Sequence, residues 1–239
     1  MNLYKTTIAW VDDFVGLVYP DVCYACGGRL IKTEQVVCLE CLHALPKTFF
    51  QKDRVNLVSQ RLAGRIPFEE AAAIYFYAKR GRLQKLIHLL KYKSKYEVGL
   101  RLGQEIGRII WQETQWQQID YLIPVPLHPK KIKKRGYNQS MAIAEGISDK
   151  TNLPILGNAI GRRIDNVSQT KKASVHGRWE NVKDIFEARN VKGLKGKHLL
   201  IIDDVVTTGA TMEACGVHLI DAVPNVKISF LAVACAEIF

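Results

Sequence analysis

The stretch His198-Leu-Leu-Ile-Ile-Asp-Asp-Val-Val-Thr-Thr-Gly-Ala-Thr211 places two adjacent acids and a threonine–glycine loop directly after an apolar run. Residues 199–203 are typical of a buried strand that ends at Asp203 and Asp204, and residues 211–222 have the pattern of the following helix. In an open α/β sheet, ligands bind where the parallel strands end. The segment therefore predicts a strand–loop–helix unit with a ligand site at its loop.

The residue types of this loop suit a sugar phosphate. The first turn of a helix offers free N–H groups and the positive end of the helix dipole, which attract phosphate. Adjacent carboxylates at Asp203 and Asp204 suit ribose hydroxyls, directly or through Mg²⁺. An ordinary helix cap is the alternative interpretation. The loop residues, which share small size or a hydroxyl donor, are Thr207, Thr208, Gly209, Ala210 and Thr211.

Strand and helix patterns alternate on the N-terminal side of this unit and continue after it. The alternation predicts an α/β domain with a mainly parallel sheet flanked by helices. The predicted strands are 71–78, 121–126, 199–203 and 226–234, and the predicted helices are 7–18, 83–92, 100–116, 138–151 and 211–222.

The composition indicates a globular protein with an anionic partner. Hydrophobic residues make up 48% and charged residues 24%, which excludes a wholly disordered, collagenous or coiled-coil chain. The 34 Lys and Arg residues against 23 Asp and Glu residues give a net charge of +11, which favours nucleic acid, a phosphate-rich ligand or a membrane surface. No apolar run approaches the roughly 18 residues of a spanning helix. Because Asp12 and Asp13 also interrupt the N-terminal apolar stretch, we expect no signal peptide, no membrane insertion and a cytoplasmic location.

Four of the six cysteines form two CxxC pairs near the N-terminus, and they are Cys23, Cys26, Cys38 and Cys41. Two such pairs bring four thiolates within reach of one tetrahedral Zn²⁺, and full thiolate ligation makes the zinc site structural. Two disulfides, which a cytoplasmic setting disfavours, and an iron–sulfur cluster are the alternatives. We expect residues 1–60 to form this zinc module with a preceding helix, and residues 61–239 to form the α/β domain.

Two further motifs precede the acid pair: Asp120-Tyr-Leu-Ile-Pro-Val-Pro-Leu-His128 and Arg135-Gly-Tyr-Asn-Gln-Ser140. The 198–211 stretch resembles the phosphoribosyl diphosphate (PRPP) signature of type I phosphoribosyltransferases. The two motifs, followed by Gln169 and Arg178 and then by the 198–211 stretch, resemble the ComF family in this order. In that family a four-cysteine zinc module precedes a phosphoribosyltransferase-like domain.

The resemblance implies a role for each matching segment. Asp203 and Asp204 would contact the ribose hydroxyls, residues 207–211 would wrap the 5′-phosphate, and Mg²⁺ would accompany PRPP. Thr207 stands where hypoxanthine-type enzymes carry an aspartate base, so no acceptor and no catalytic residue is predicted. The diphosphate and flexible-loop residues would be Pro126, Arg135, Gly136, Tyr137, Asn138, Gln139, Gln169, Lys171 and Arg178.

A basic stretch at 79–95 holds seven Lys or Arg residues and no acid. Tyr92 and Tyr96 lie among these cations, and tyrosines beside cations can stack on unpaired bases. A solvated helix face is the alternative. The ComF resemblance adds single-stranded DNA and a DNA-uptake helicase as partners in natural transformation. The nucleic-acid candidates are Lys79, Arg82, Lys85, Lys93 and Lys95.

Three functions stay open on the sequence alone. The first is a ComF-like protein that binds PRPP and single-stranded DNA during DNA uptake. The second is an active phosphoribosyltransferase with an unidentified acceptor. The third is a non-catalytic sensor of PRPP that kept the fold, since fold does not determine function.

Overall fold

The structure is a computed structural model that describes residues 20–162 and 186–236. It divides into two compact units, Met1–Leu45 and Pro46–Phe239. The helix predicted at 7–18 lies outside the described residues. The described part of the first unit, residues 20–45, contains turns and one short helix, α1 (Leu39–His43), whose N-terminus is capped by the Cys38 thiol.

The second unit alternates strands and helices along the chain. Its helices are α2 (Leu57–Leu62), α3 (Arg82–Tyr92), α4 (Tyr96–Ile110), α5 (Pro129–Arg135), α6 (Gln139–Thr151) and α7 (Ala210–Ala222). Its strands are β1 (Ala71–Tyr77), β2 (Tyr121–Pro124), β3 (Ile160–Arg162), β4 (Phe186–Ala188), β5 (His198–Val206) and β6 (Lys227–Ala236).

A four-stranded parallel sheet in the order β1-β6-β5-β2 forms the centre of this unit. The predicted α/β class with a mainly parallel sheet is confirmed. Strands β3 and β4 pair separately as an antiparallel ribbon. Because parallel strands end at one edge of a sheet, the carboxyl ends of β1, β2, β5 and β6 meet there.

Strand β5 is longer than the sequence predicts. It does not end at Asp203, because Asp203 pairs with Ala232 and the ladder with β6 continues as far as Val206 opposite Cys235. Both acids therefore lie within the strand.

One helical prediction was wrong at both ends. The helix predicted at 100–116 runs instead over α4 and stops before a 3₁₀ turn at Thr114–Gln118. Trp116 is buried in that turn and donates its indole N–H to the Gln51 carbonyl over 3.0 Å, a tertiary contact that helical periodicity does not reveal. The run 129–135, for which the sequence predicts no helix, is helix α5, which begins at Pro129 and is followed by the C-cap residue Gly136 with φ +87°.

Residues 46–60 belong structurally to the second unit. Helix α2 lies in this segment, capped by Asn56, whose Nδ2 donates to the Ala71 carbonyl of β1 over 2.8 Å. The division at Leu45–Pro46 consequently comes earlier than the boundary expected near residue 60.

Helices α4 and α6 pack closely through glycines on the facing sides. Gly103 and Gly146 lie at their contact, where no side chain fits between the backbones. Across residues 20–162 and 186–236, no helix combines the length and apolar content needed to cross a bilayer.

Candidate functional site

The acid pair, Asp203 and Asp204, sits near the carboxyl end of β5, within reach of the start of α6. Asp203 Oδ1 accepts hydrogen bonds from Ser140 Oγ over 3.2 Å and from the Asp204 backbone N–H over 2.8 Å. Burial and the neighbouring Asp204 carboxylate raise the pKa of Asp203 to about 7. The pair is therefore a concentrated negative site that a cation or hydroxyl donors would stabilise.

Asp204 forms an ion pair with Lys91 of α3, whose Nζ lies 2.8 Å from Oδ1. The Asp204 side chain is 11% exposed and that of Lys91 is 24% exposed. The sequence did not mark Lys91 as a site residue. A signal was present, since Lys91 lies one turn after the buried Ile87 and so on the inward side of the helix.

The threonine loop (residues 207–211) follows the acid pair and leads into α7. The side chains of Thr207, Thr208 and Thr211 are exposed at its surface. Gly209 is the N-cap of α7 with φ +79°, and a Cβ there would lie 3.0 Å from Leu62 Cδ2. The loop lines a shallow cavity of about 30 Å³ together with Asp203. The predicted acid pair and threonine loop are thus adjacent in the structure.

Two arginines from the region of α2 hold the strand end and the loop, and the sequence analysis missed both. Arg61 donates to the carbonyls of Val206 over 3.4 Å and Ala236 over 2.6 Å. Arg65 donates to the Thr208 carbonyl over 2.7 Å and pairs with Glu213 of α7. Arg65 lies beyond the end of α2, so no helical spacing in the sequence marks the two arginines.

The predicted diphosphate residues lie around the turn from α5 into α6. Asn138 Nδ2 donates to the Val125 carbonyl at the end of β2 over 2.9 Å. The Arg135 guanidinium donates to Gln139 Oε1 over 2.9 Å. Through Ser140, this turn is joined to the acid pair. Pro126 is half-buried and Gly136 exposed, Tyr137 donates to the Leu90 carbonyl, and Gln169, Lys171 and Arg178 lie outside the described residues.

The predicted nucleic-acid residues lie on α3 and on the segments beside it. Lys79, Arg82, Lys85 and Lys93 are exposed, whereas Lys95 is half-buried and pairs with Glu97 at 3.6 Å. Of these five, Lys85 alone lines the cavity of about 460 Å³ that runs along α3.

The four cysteines of the first unit converge as predicted. Their Sγ atoms all lie within 4.8 Å of one another, and the Cys26 and Cys38 sulfurs are 4.0 Å apart. Tetrahedral ligation at a Zn–S distance of about 2.3 Å requires sulfurs about 3.8 Å apart, which is close to this spacing. Backbone N–H groups of Gly28, Cys38 and Cys41 donate to three of the sulfurs. The cluster is a candidate metal site.

The electrostatics of the cluster favour a cation at its centre. Burial of Cys23 opposes its ionisation, but backbone N–H groups lower its pKa to about 6. Burial and the neighbouring sulfurs raise the pKa of Cys41. Four thiols this close cannot all ionise unless a cation screens their mutual repulsion. All four are free of disulfides.

Comparison with known proteins agrees with this fold. The phosphoribosyl transferase domain family matches residues 132–236, which contain α6, β5, the threonine loop and α7. A glutamine PRPP amidotransferase structure from B. subtilis is 18% identical, with a TM-score of 0.40, and covers 60% of this chain. The chain spans 30% of that enzyme. The sheet, the acid pair and the family match make this chain a phosphoribosyltransferase-like protein.

Two curated relatives extend the match beyond that domain. The DNA utilization protein YhgH of Escherichia coli O157:H7 is 29% identical over 199 residues, covering 80% of both chains. Competence protein ComFC of Bacillus subtilis is 23% identical over 217 residues, covering 88% of this chain and 82% of its own. Within the phosphoribosyltransferase-like class, the chain resembles the ComF family over most of its length.

Proposed function

We propose that this protein binds PRPP with Mg²⁺ in its second unit, binds single-stranded DNA, and acts in DNA uptake. The observation that carries the PRPP assignment is the juxtaposition of the acid pair with the threonine loop at the end of β5. Exposed hydroxyls and the α7 N-terminus face the same side as the loop cavity, which suits a phosphate. The acids beside them suit the hydroxyls of the attached ribose.

The donor set of this site also fits Mg²⁺. Carboxylate and phosphate oxygens are the ligands that this hard cation prefers, and Asp203 and Asp204 supply the carboxylates. When bound, Mg²⁺ neutralises negative charge on the diphosphate. The protein contributes the ribose contacts at the acid pair and the phosphate contacts at the loop.

A donor for the diphosphate group is available near the start of α6. The Gln139 side chain is 2% exposed, and its Nε2 has no hydrogen-bond partner within the part of the chain that the structure describes. A buried amide without a partner is costly, so such groups are normally satisfied by protein, water or ligand. Its position beside Arg135 supports the assignment of this turn to the diphosphate.

The names of the two relatives support a role in handling DNA. Competence and DNA utilization are stated for those proteins, and we extend DNA uptake to this chain on the basis of this resemblance. The net charge of +11 and the cationic cavity along α3 fit a polyanionic strand. The helicase partner and the cytoplasmic location stay predictions.

We further propose that the four-cysteine cluster holds structural Zn²⁺. Four thiolates leave no open position on the ion, so the metal would stabilise the module and take no part in chemistry. Because residues 20–45 consist of turns and a five-residue helix, the metal would supply much of the free energy that folds this segment.

PRPP binding is tested by isothermal titration calorimetry with Mg²⁺ present. Replacing both acids, Asp203→Ala with Asp204→Ala, should lower PRPP affinity at least about hundredfold, because each charged hydrogen bond contributes about 1.5–3 kcal/mol. Asp221→Ala is the matched control, an exposed acid at the far end of α7, and should bind PRPP normally. Unchanged affinity in the double variant would refute the assignment.

DNA binding is tested by fluorescence anisotropy of a labelled oligothymidylate. The affinity should fall steeply as salt rises, because phosphate contacts release counterions. A strand that fails to bind at low salt would remove DNA from the proposal and leave PRPP binding intact. Diphosphate release from PRPP, measured against a panel of bases, separates a binding protein from an active transferase.

A further inference from the structure

A cavity of about 460 Å³, here called the α3 pocket, lies along one side of α3. Its volume is within the roughly 300–1,000 Å³ of small-ligand sites. The aromatic residues that line it are Tyr77, His88 and Tyr92, and the cationic ones are Arg80, Lys85 and Lys91. No acidic residue lines it among the described residues. The combination of rings and cations suits a base attached to a phosphate.

Tyr92 is placed to stack at the mouth of this pocket. Its side chain is 61% exposed. The Arg135 guanidinium lies 5.4 Å from the ring centroid, and the His88 ring centroid is 5.0 Å away. These contacts orient the ring, so an unpaired base could stack without first ordering the side chain.

Lys91 contacts both this pocket and the acid pair. It lines the α3 pocket, and its ammonium group is held 2.8 Å from Asp204 Oδ1. A ligand that binds Asp204 weakens the ion pair between Asp204 and Lys91, because its hydroxyl groups or Mg²⁺ compete with the lysine for the same carboxylate. The charge of Lys91 then becomes available to a phosphate in the α3 pocket.

We propose that the α3 pocket binds one nucleotide of a single-stranded DNA, and that Lys91 couples this binding to PRPP at the acid pair. The inference rests on the proposed function and specifies where the strand binds and what regulates it. By thermodynamic linkage, PRPP must change the affinity for DNA by the same factor as DNA changes the affinity for PRPP. The contribution of Lys91 to this factor is therefore the same in both directions.

The test measures the oligothymidylate Kd by anisotropy at constant ionic strength, with and without Mg²⁺ and PRPP. PRPP is an anion and repels the strand in every variant, so the informative quantity is the PRPP-induced change in Kd relative to Lys91→Met. Relative to its effect on Lys91→Met, PRPP should lower the oligothymidylate Kd of the wild-type protein by at least about fivefold. This factor is the lower end of typical coupling between two sites.

Lys85→Met is the matched control, because Lys85 lines the same pocket and is not the lysine paired with Asp204. It should weaken the strand while keeping the wild-type response to PRPP. Tyr92→Ala should lower strand affinity about tenfold through lost stacking. Thermal unfolding of each variant checks that the domain stays folded.

The possible results distinguish a failure of this proposal from a failure of the proposed function. If wild type binds neither PRPP nor the strand, the proposed function fails. If both bind but Lys91→Met responds to PRPP as wild type does, the coupling is overturned and the proposed function stands. Unchanged strand affinity in both Tyr92→Ala and Lys85→Met overturns the α3 pocket as the strand site. If thymidine monophosphate competes with the strand and binds with the same affinity, the α3 pocket is a site for free nucleotides instead.

Discussion

Gly103 of α4 and Gly146 of α6 face each other where the two helices cross. A Cβ on Gly103 would lie 3.0 Å from Gly146 Cα and closer still to the Ile143 carbonyl. The close approach sets the position of α6, whose first turn carries Ser140 and whose N-cap is Asn138. Helix packing in the middle of α6 therefore helps to place the contact between Ser140, at the start of the helix, and Asp203.

Replacing Gly103 with alanine should consequently destabilise the protein. We expect a loss of about 1–3 kcal/mol in the free energy of unfolding, because the added methyl forces the two helices apart. Urea denaturation measures this. Arg108→Ala, an exposed change on the same helix, should shift stability by no more than about 0.5 kcal/mol. An unaffected Gly103→Ala protein would show that the helices do not pack this closely.

The ion pair between Arg65 and Glu213 should behave as a partly buried pair. Arg65→Met leaves the Glu213 carboxylate, whose side chain is 10% exposed, without this partner, and should cost about 2 kcal/mol or more. The double variant Arg65→Met with Glu213→Met removes both charges and should recover at least about 1 kcal/mol. Denaturation of the three proteins measures the difference. If the double variant is less stable than Arg65→Met, the pair is not the cause.

His198 predicts a pH dependence of stability. The ring is buried beside Ser229 Oγ at 2.8 Å, and burial lowers its pKa below 6.5. The unfolded chain therefore binds more protons than the folded one just below pH 6.5, so stability falls as the pH drops through that range. The slope contributed by this group is at most about 1.4 kcal/mol per pH unit.

The comparison that isolates this contribution is His198→Asn, measured by thermal unfolding between pH 5 and 8, the interval in which histidine titrates. As the pH falls, His198→Asn should lose less stability than the wild type. His218→Asn on α7 should lose as much stability as the wild type. Equal pH profiles for wild type and His198→Asn would contradict the prediction.

Metal removal should unfold the first unit only. Cys38→Ser should reduce bound zinc from about one equivalent to a small fraction, because three ligands hold the ion much less tightly than four. Elemental analysis measures this, and limited proteolysis should then cut within residues 20–45. Cys215→Ala changes a buried thiol of the second unit and should retain the metal. Wild-type protein without metal would refute the zinc assignment.

The sequence by itself determined the local parts of this protein. The period of the apolar residues predicted the parallel sheet and most helices, and the CxxC spacing predicted the four-sulfur cluster. The run from His198 to Thr211 identified the acid pair and the threonine loop. Each of these follows from neighbours close in the chain, because strand alternation, turn residues and paired thiols are short-range properties.

The tertiary structure alone decided which distant residues reach that site. Lys91 meets Asp204 across more than a hundred positions, and Arg65 reaches Thr208 across an interval of 143. The length of β5 was likewise decided by its ladder with β6. Such contacts depend on how helices and strands pack, and the period of a single segment carries no information about its partner.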